Sequence, residues 1–452
     1  MSSRRSMFTR RDALLGTLFG AGAVGLRALA SGLPLAFLRD PRRALAAATR
    51  SESRAGALGA ACPDPTRAQA IIFSTSGEGD SINTSVPGTY EDARIVHSPD
   101  PALAPTTLSI RGQIHTAAAP WAALPQEILD RTVFWHTMTG TPVHSEEPNV
   151  LRLMGATQPT EMLPSLLARS LAPCLGSITH QALSIGARTP SETLSDGGTA
   201  LPVVPPLAIK ATLTSPGGPL SALQPLRDAT LNQLYALYRD GASPAQKRYL
   251  DALVTSRDQL AHIKSDVLDA LSGVNDNGPA AQVLVAVALI QMNVTPVVVI
   301  HVPFGGDNHR DVGLVAESAQ TISGVATIAG LMQRLASVGL QDRVTFMTLN
   351  VFGRTLGPGN ADGRAHNNNH QVSVIIGQPF RGGVVGGVAP VDNDYGAVAV
   401  DSRTGAGDPG GDVNPLDTLA AFGQTMLTAV GGDPSLIRSP MGTGKVISSV
   451  LS

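Results

Sequence analysis

The stretch HVPFGGDNHRD, residues 301–311, sets Asp307 and His309 two positions apart, behind an apolar run and a pair of glycines. A carboxylate supplies charge and an imidazole supplies a neutral nitrogen, the mixed donor set that divalent cations accept. Apolar runs with polar chemistry at or beyond their ends recur elsewhere. AIIFSTSGEGD closes on Asp80, with Ser81, Asn83, Thr84 and Ser85 behind it. RTVFWHTMTG carries His136 and leads to His144, while VTFMTLN closes on Asn350 and the loop GRAHNNNHQV supplies His366 and His370. Together these residues predict a divalent metal site held by Asp80, Asp307, His309 and either His366 or His370. Taken singly, each has a plainer account: Asp, Asn and Ser cap helix starts, and histidines bond the backbone, with no metal involved.

Ser81, Thr84 or Ser85 offers a hydroxyl nucleophile, although hydroxyls also form ordinary turns. His301, inside the run TPVVVIHVPF, reads as a core histidine. Asp392 and Asp394 in PVDNDYG read as a surface turn, because no calcium loop of twelve residues follows. GTGK at 442–445 lacks the strand and the spacing of a phosphate-binding loop.

These side chains need strands to place them. The segments around 68–80, 131–140, 295–304, 342–353 and 371–377 read as strands. PAAQVLVAVALIQMNV is a charge-free buried helix, and DVGLVAESAQTISGVATIAGLMQRLASVGL an amphipathic one stopped by Gly339. Residues 226–273 are helical in pattern, and PLDTLAAFGQTMLTAVG is the last helix. Residues 86–130 and 160–225 read as loop-rich. Charge-free, β-branched strands alternating with helices predict an α/β fold whose parallel sheet is covered on both faces. Sites in such sheets lie beyond the carboxyl ends of the strands.

The chain has 452 residues, 43% hydrophobic and 15% charged, which suits a compact fold and excludes a disordered one. FTRRDALLGTLFGAGAVGLRALA has Arg10 and Arg11 ahead of a weakly apolar stretch interrupted by Arg27, the twin-arginine export pattern and a poor membrane span. Residues 1–48 are therefore read as a signal and 49–67 as a linker, with processing near ALAAATR. The signal holds eight Arg and two acids, so 25 basic and 33 acidic residues remain, a net of about −8. A mildly acidic body predicts no nucleic-acid partner. Cys62 and Cys174 have no spacing pattern that decides whether they pair.

With these segments in view, the chain resembles a family of twin-arginine-exported bacterial proteins. It is the sulfatase-like domain-of-unknown-function family numbered fifteen-oh-one, within the alkaline phosphatase superfamily. AIIFSTSGEGDSIN, RTVFWHTMTGTPVH, VVVIHVPFGGDNHRD and LNVFGRTLGPGNADGRAHNNNHQVSVIIGQPFRGGVVGG carry the resemblance. It implies one domain over 68–452 with a central, mostly parallel sheet and helices on both sides. It implies metal ligands at Asp80, Asp307, His309 and a histidine of HNNNH, and active relatives bind two divalent ions and hydrolyse phosphate or sulfate esters. Two departures stand out: Asn350 replaces the acid usual before FGR, and no Cys-x-Pro-x-Arg sulfatase signature exists.

The resemblance thus leads to the expectation of a periplasmic or secreted metal-dependent hydrolase of an anionic ester, on a small molecule or glycan. Zinc is the expected cation, with calcium, magnesium or manganese as alternatives. Ser81 or Thr84 would attack, and Arg354 or Arg310 would stabilise the developing charge. The alternative is a catalytically degenerate member that binds a cell-envelope partner or a saccharide.

Overall fold

The computed structural model describes residues 70–153, 162–175, 181–186, 194–201, 203–214, 265–302, 304 and 308–452, with scattered positions between 229 and 247. The export signal, the linker, most of the helical stretch 226–273, Asp307, Cys62 and the side chain of Cys174 lie outside the described residues.

Seven strands form the central sheet among the described residues. They are β1 (Ala70–Ser76), β2 (Thr132–Thr137), β3 (Leu183–Ile185), β4 (Val297–Ile300), β5 (Val344–Asn350), β6 (Gln371–Ile376) and β7 (Gly383–Val385). Their order across the sheet is β7-β2-β6-β5-β1-β4-β3. The pairs β5/β1, β1/β4, β4/β3 and β7/β2 are parallel. Strand β6 runs antiparallel to both β2 and β5, which corrects the expectation of a parallel sheet to a mixed one. The cause is the connection: residues 351–370 carry no crossover helix, and without one a chain that leaves β5 returns in the opposite sense.

Both faces of the sheet are covered. All four residues of β4 are buried, as a strand between two layers must be. Val298 and Ile300 pack with α2 (Pro279–Gln291) and with Val325, Ile328 and Leu331 of α3 (Val315–Ser337). Val297 and Val299 belong to the opposite core, with Leu163 and Leu167 near the start of Leu163–Leu175, and Phe422 and Met426 of Thr418–Ala429. Trp121 bridges elements on the first face, 5.2 Å edge-on to Phe134 and 6.2 Å in parallel stack with Phe304.

Helix α3 begins where Asp311 receives the N–H groups of Ala316 and Glu317, each at 2.9 Å, so this acid is a cap, as the plainer account allows. It ends at Gly339 in the left-handed region, as the sequence predicts. Residues 86–130 are less loop-like than expected. Pro105–Ile110 and Gln113–Ala118 form a hairpin, turned by Arg111 and Gly112 at positive φ. The 160–225 region likewise holds Leu163–Leu175 and the helix Pro206–Thr214. PVDNDYG is the turn predicted, joining Val388–Val391 to Asp394–Ala397.

Candidate functional site

The sheet brings the exits of four strands to one edge. Ser76 at the end of β1 pairs with Asn350 at the end of β5, and Ile300 at the end of β4 pairs with Ser74. Strand β2, reversed twice relative to β5 through β6, leaves on the same edge at Thr137.

Asp80 follows β1 and is 3% exposed. Its N–H donates to the Phe352 carbonyl at 3.2 Å. Its carboxyl group accepts from the N–H of Ile82 at 3.1 Å and from Asn350 Nδ2. Burial pushes its pKa up to about 7, against the opposing pull of those two bonds and of the Arg354 charge. Preceding it, Gly79 sits at φ +73°, and a Cβ there would lie 2.2 Å from the Phe352 ring. Only glycine lets the chain turn this close to Phe352.

Arg354 is fully buried, with Nη2 donating to the Glu78 carbonyl at 2.8 Å and its guanidinium 5.5 Å over the Phe352 ring. Asn83 grips its backbone on both sides. Asn83 Oδ1 accepts the Arg354 N–H at 3.1 Å, and Asn83 Nδ2 donates to the Arg354 carbonyl at 2.8 Å. The arginine therefore acts on this site through its field rather than from the surface, lowering the pKa of both Asp80 and His366.

The histidines divide into two groups. In the first, His309 Nε2 and His366 Nε2 stand 2.9 Å apart. His366 also stacks on Phe352, with centroids 4.1 Å apart, and meets His144 edge-on at 4.6 Å. A carbonyl oxygen only accepts, so the contacts His366 Nδ1 to Pro142 O (2.5 Å) and His144 Nδ1 to Gly77 O (3.1 Å) place a proton on each Nδ1. In the neutral His366 ring the lone pair is then on Nε2, the atom that faces His309. A ring whose Nδ1–H is fixed by a backbone carbonyl is how metal-binding histidines are commonly oriented. Burial, the first cause, lowers the pKa of His366, so the ring stays neutral and able to ligate.

The second group is fully buried. His136 Nδ1 lies 2.9 Å from His370 Nε2, and His136 Nε2 lies 2.9 Å from the Pro87 carbonyl. Burial holds His136 down to about 4 and His370 well below the ordinary imidazole range, with His136 a further lowering influence on His370.

The predicted nucleophiles have partners within the protein. Ser81 Oγ donates to the Phe304 carbonyl at 3.1 Å, and Thr84 Oγ1 contacts Ser81 O at 2.8 Å and Glu317 Oε1 at 3.0 Å. Glu317 in turn pairs with Arg364, both fully buried. His301 is buried, as expected of a core histidine. Asp307 lies outside the described residues.

The donors present fit a divalent cation in kind. Two imidazole nitrogens face one another, the Asp80 carboxyl group is buried on a residue bonded to Phe352, on which His366 stacks, and Asn350 Oδ1 is buried with no hydrogen-bond partner among the described residues. No group of three His, Cys, Asp or Glu gathers as a metal site among the described residues, which exclude Asp307. Sequence reading did not single out Phe352 or the Glu317–Arg364 pair, and it noted Asn83 without a role. Phe352 and Arg364 could have been suspected only as unusually placed residues in a loop.

Residues 220–408 match the model of a family described as "Protein of unknown function (DUF1501)". No curated protein matches the chain.

Proposed function

We propose that this chain is an exported, metal-dependent hydrolase of an anionic ester, a phosphate or a sulfate, as its resemblance to the sulfatase-like fold implies. The observation that carries the reading is the approach of His309 and His366, nitrogen to nitrogen at 2.9 Å, beyond the carboxyl ends of β4 and β5. His309 and His366 would hold the cation, with Asp307 and Asp80 supplying carboxylate charge. Bound there, a zinc ion would polarise the ester and neutralise its charge.

The remaining groups have roles set by their surroundings. Arg310, exposed beside His309, would meet the incoming anion, while buried Arg354 holds the local potential positive. Phe352 keeps the His366 ring flat against it, so the bare Nε2 points away from the stacking face. Ser81 or Thr84 would give up its present hydrogen bond and attack the ester's phosphorus or sulfur, its oxygen bonding there as the bond to the alcohol oxygen breaks and the hydroxyl proton leaves with that alcohol.

A second reading, a fold-keeping protein that binds an envelope partner or a saccharide without turnover, draws on Asn350, whose amide already occupies Asp80. One experiment separates them. Protein purified after export without chelator is assayed for bound metal and for turnover of aryl phosphate and aryl sulfate, alongside His309→Ala. The hydrolase reading expects metal and turnover, both lost in His309→Ala with the fold intact. Metal-free wild-type protein inert toward both esters would overturn it.

A further inference from the structure

We infer that His370 is a positioning residue locked by its neighbours, and that of the two histidines of HNNNH it is His366, beside His309, that faces the cation site. The inference rests on the hydrolase reading for the presence of the cation, and on hydrogen-bond geometry for everything else.

The lock follows from counting protons. The Pro87 carbonyl can only accept, so His136 Nε2 carries a hydrogen and donates to it at 2.9 Å. Asn83 is oriented by the Arg354 backbone, its Oδ1 taking an N–H and its Nδ2 giving one to the carbonyl. The remaining hydrogen on Nδ2 faces His370 Nδ1 at 3.3 Å, which must therefore be the bare acceptor. With Nδ1 bare, His370 carries its proton on Nε2 and donates it across 2.9 Å to His136 Nδ1. The chain of donors runs Asn83, His370, His136, Pro87, and each step fixes the next.

This leaves His370 no lone pair for a metal. Its Nδ1 lone pair is taken by Asn83, and its Nε2 is protonated. Charging the ring would set an N–H against an N–H of Asn83, and turning Asn83 over would break both bonds to Arg354. All three side chains are fully buried. His366, four residues earlier, differs: its Nδ1–H is on Pro142 O, and its Nε2 accepts from His309 Nε2 at 2.9 Å between rings that are exposed and half-buried, where a cation can displace that proton to solvent.

The positive role of the chain is to hold Arg354. Asn83 is the clamp on that residue, and His370 sets the clamp by occupying its last N–H. Removing His370 would free Asn83 to rotate and loosen the arginine whose charge acts on Asp80 and His366.

The test uses the whole exported protein and zinc alone as the probe. Zinc titration against a competing chelator compares the affinity of the wild type with that of each variant. His366→Ala should weaken binding by well over about 100-fold, and His370→Gln by less, within the roughly 10–100-fold scale of a supporting contact. Nitrogen NMR of the metal-free protein should show His370 and His136 as Nε2–H tautomers, and His366 as Nδ1–H. A His370→Gln loss matching that of His366→Ala, or an Nδ1–H form of His370, would overturn the assignment. Zinc failing to bind the wild type would instead defeat the hydrolase reading, while the tautomers would still decide the lock. Should His370→Gln fold poorly, His136→Gln, which keeps an amide donor toward Pro87, tests the same chain.

Discussion

A buried imidazole that stays neutral makes stability depend on acid. His136 ionises near 6.5 when unfolded and is held to about 4 by burial in the native state. Between those values the unfolded chain binds a proton that native His136 refuses. Its contribution is therefore complete above pH 6.5 and is lost as pH falls toward 4, by about 3 kcal/mol in all. His370, lowered by the same burial, adds to the loss. Urea unfolding at pH 7.5 and 4.5 should show a steep acid decline in the wild type and a shallower one in His136→Gln. An equal decline in both would remove the argument. A second prediction at this scale concerns Gly79. A side chain there combines left-handed strain with a contact of 2.2 Å to Phe352, so Gly79→Ala should cost about 2 kcal/mol or more in thermal unfolding. An unchanged midpoint would mean that Phe352 and its loop can move aside freely.

Elements decide which of these residues meet. The N-terminal turn of α3 carries Glu317, and its ion pair with Arg364 ties the helix to the loop that presents His366. Arg364 also donates to the Thr355 and Val96 carbonyls, at 2.7 and 2.6 Å. Arg364→Met would leave the Glu317 charge buried without its partner, a loss of about 3–5 kcal/mol, and pairing it with Glu317→Leu should restore part of that. A double variant no more stable than the single one, in chemical denaturation, would show that the backbone bonds rather than the charge pair do the holding. Much at this scale is readable in the sequence. The β-branched runs gave β1, β2, β4, β5 and β6, and the apolar periodicity gave α2 and α3. The direction of β6 is not readable from its own residues, because the connection before it sets the sense of pairing. The hairpin Pro105–Ala118 hides for another reason: its strands bury only scattered positions, so apolar residues do not mark it. The site divides the same way. Strand exits could be located from pattern alone, but His366 and His370 look equivalent in HNNNH. They differ because His370 directly precedes β6 and is drawn into the interior, whereas His366 stands on the short ladder Gly353–Arg354 with His366–Asn367.

For the molecule as a whole, the centre joins segments that the chain keeps far apart. His309 follows β4 and His366 precedes β6, 57 residues away, and only the folded sheet sets them 2.9 Å from each other. A cation held by both would bind the native state and largely ignore the unfolded one. Its stabilisation would then grow with concentration, reaching about 2.7 kcal/mol at a hundredfold excess over Kd. For a domain of this size that corresponds to a rise of a few degrees in the unfolding midpoint. Calorimetry with added zinc should show this rise in the wild type, its reversal on chelation, and no rise in His309→Ala. Magnesium, which favours oxygen ligands and keeps its water, should have little effect at the same concentration. A wild-type midpoint indifferent to zinc would leave the two imidazoles sharing a proton instead. A magnesium effect equal to that of zinc would place the cation on the carboxylates rather than on the nitrogens.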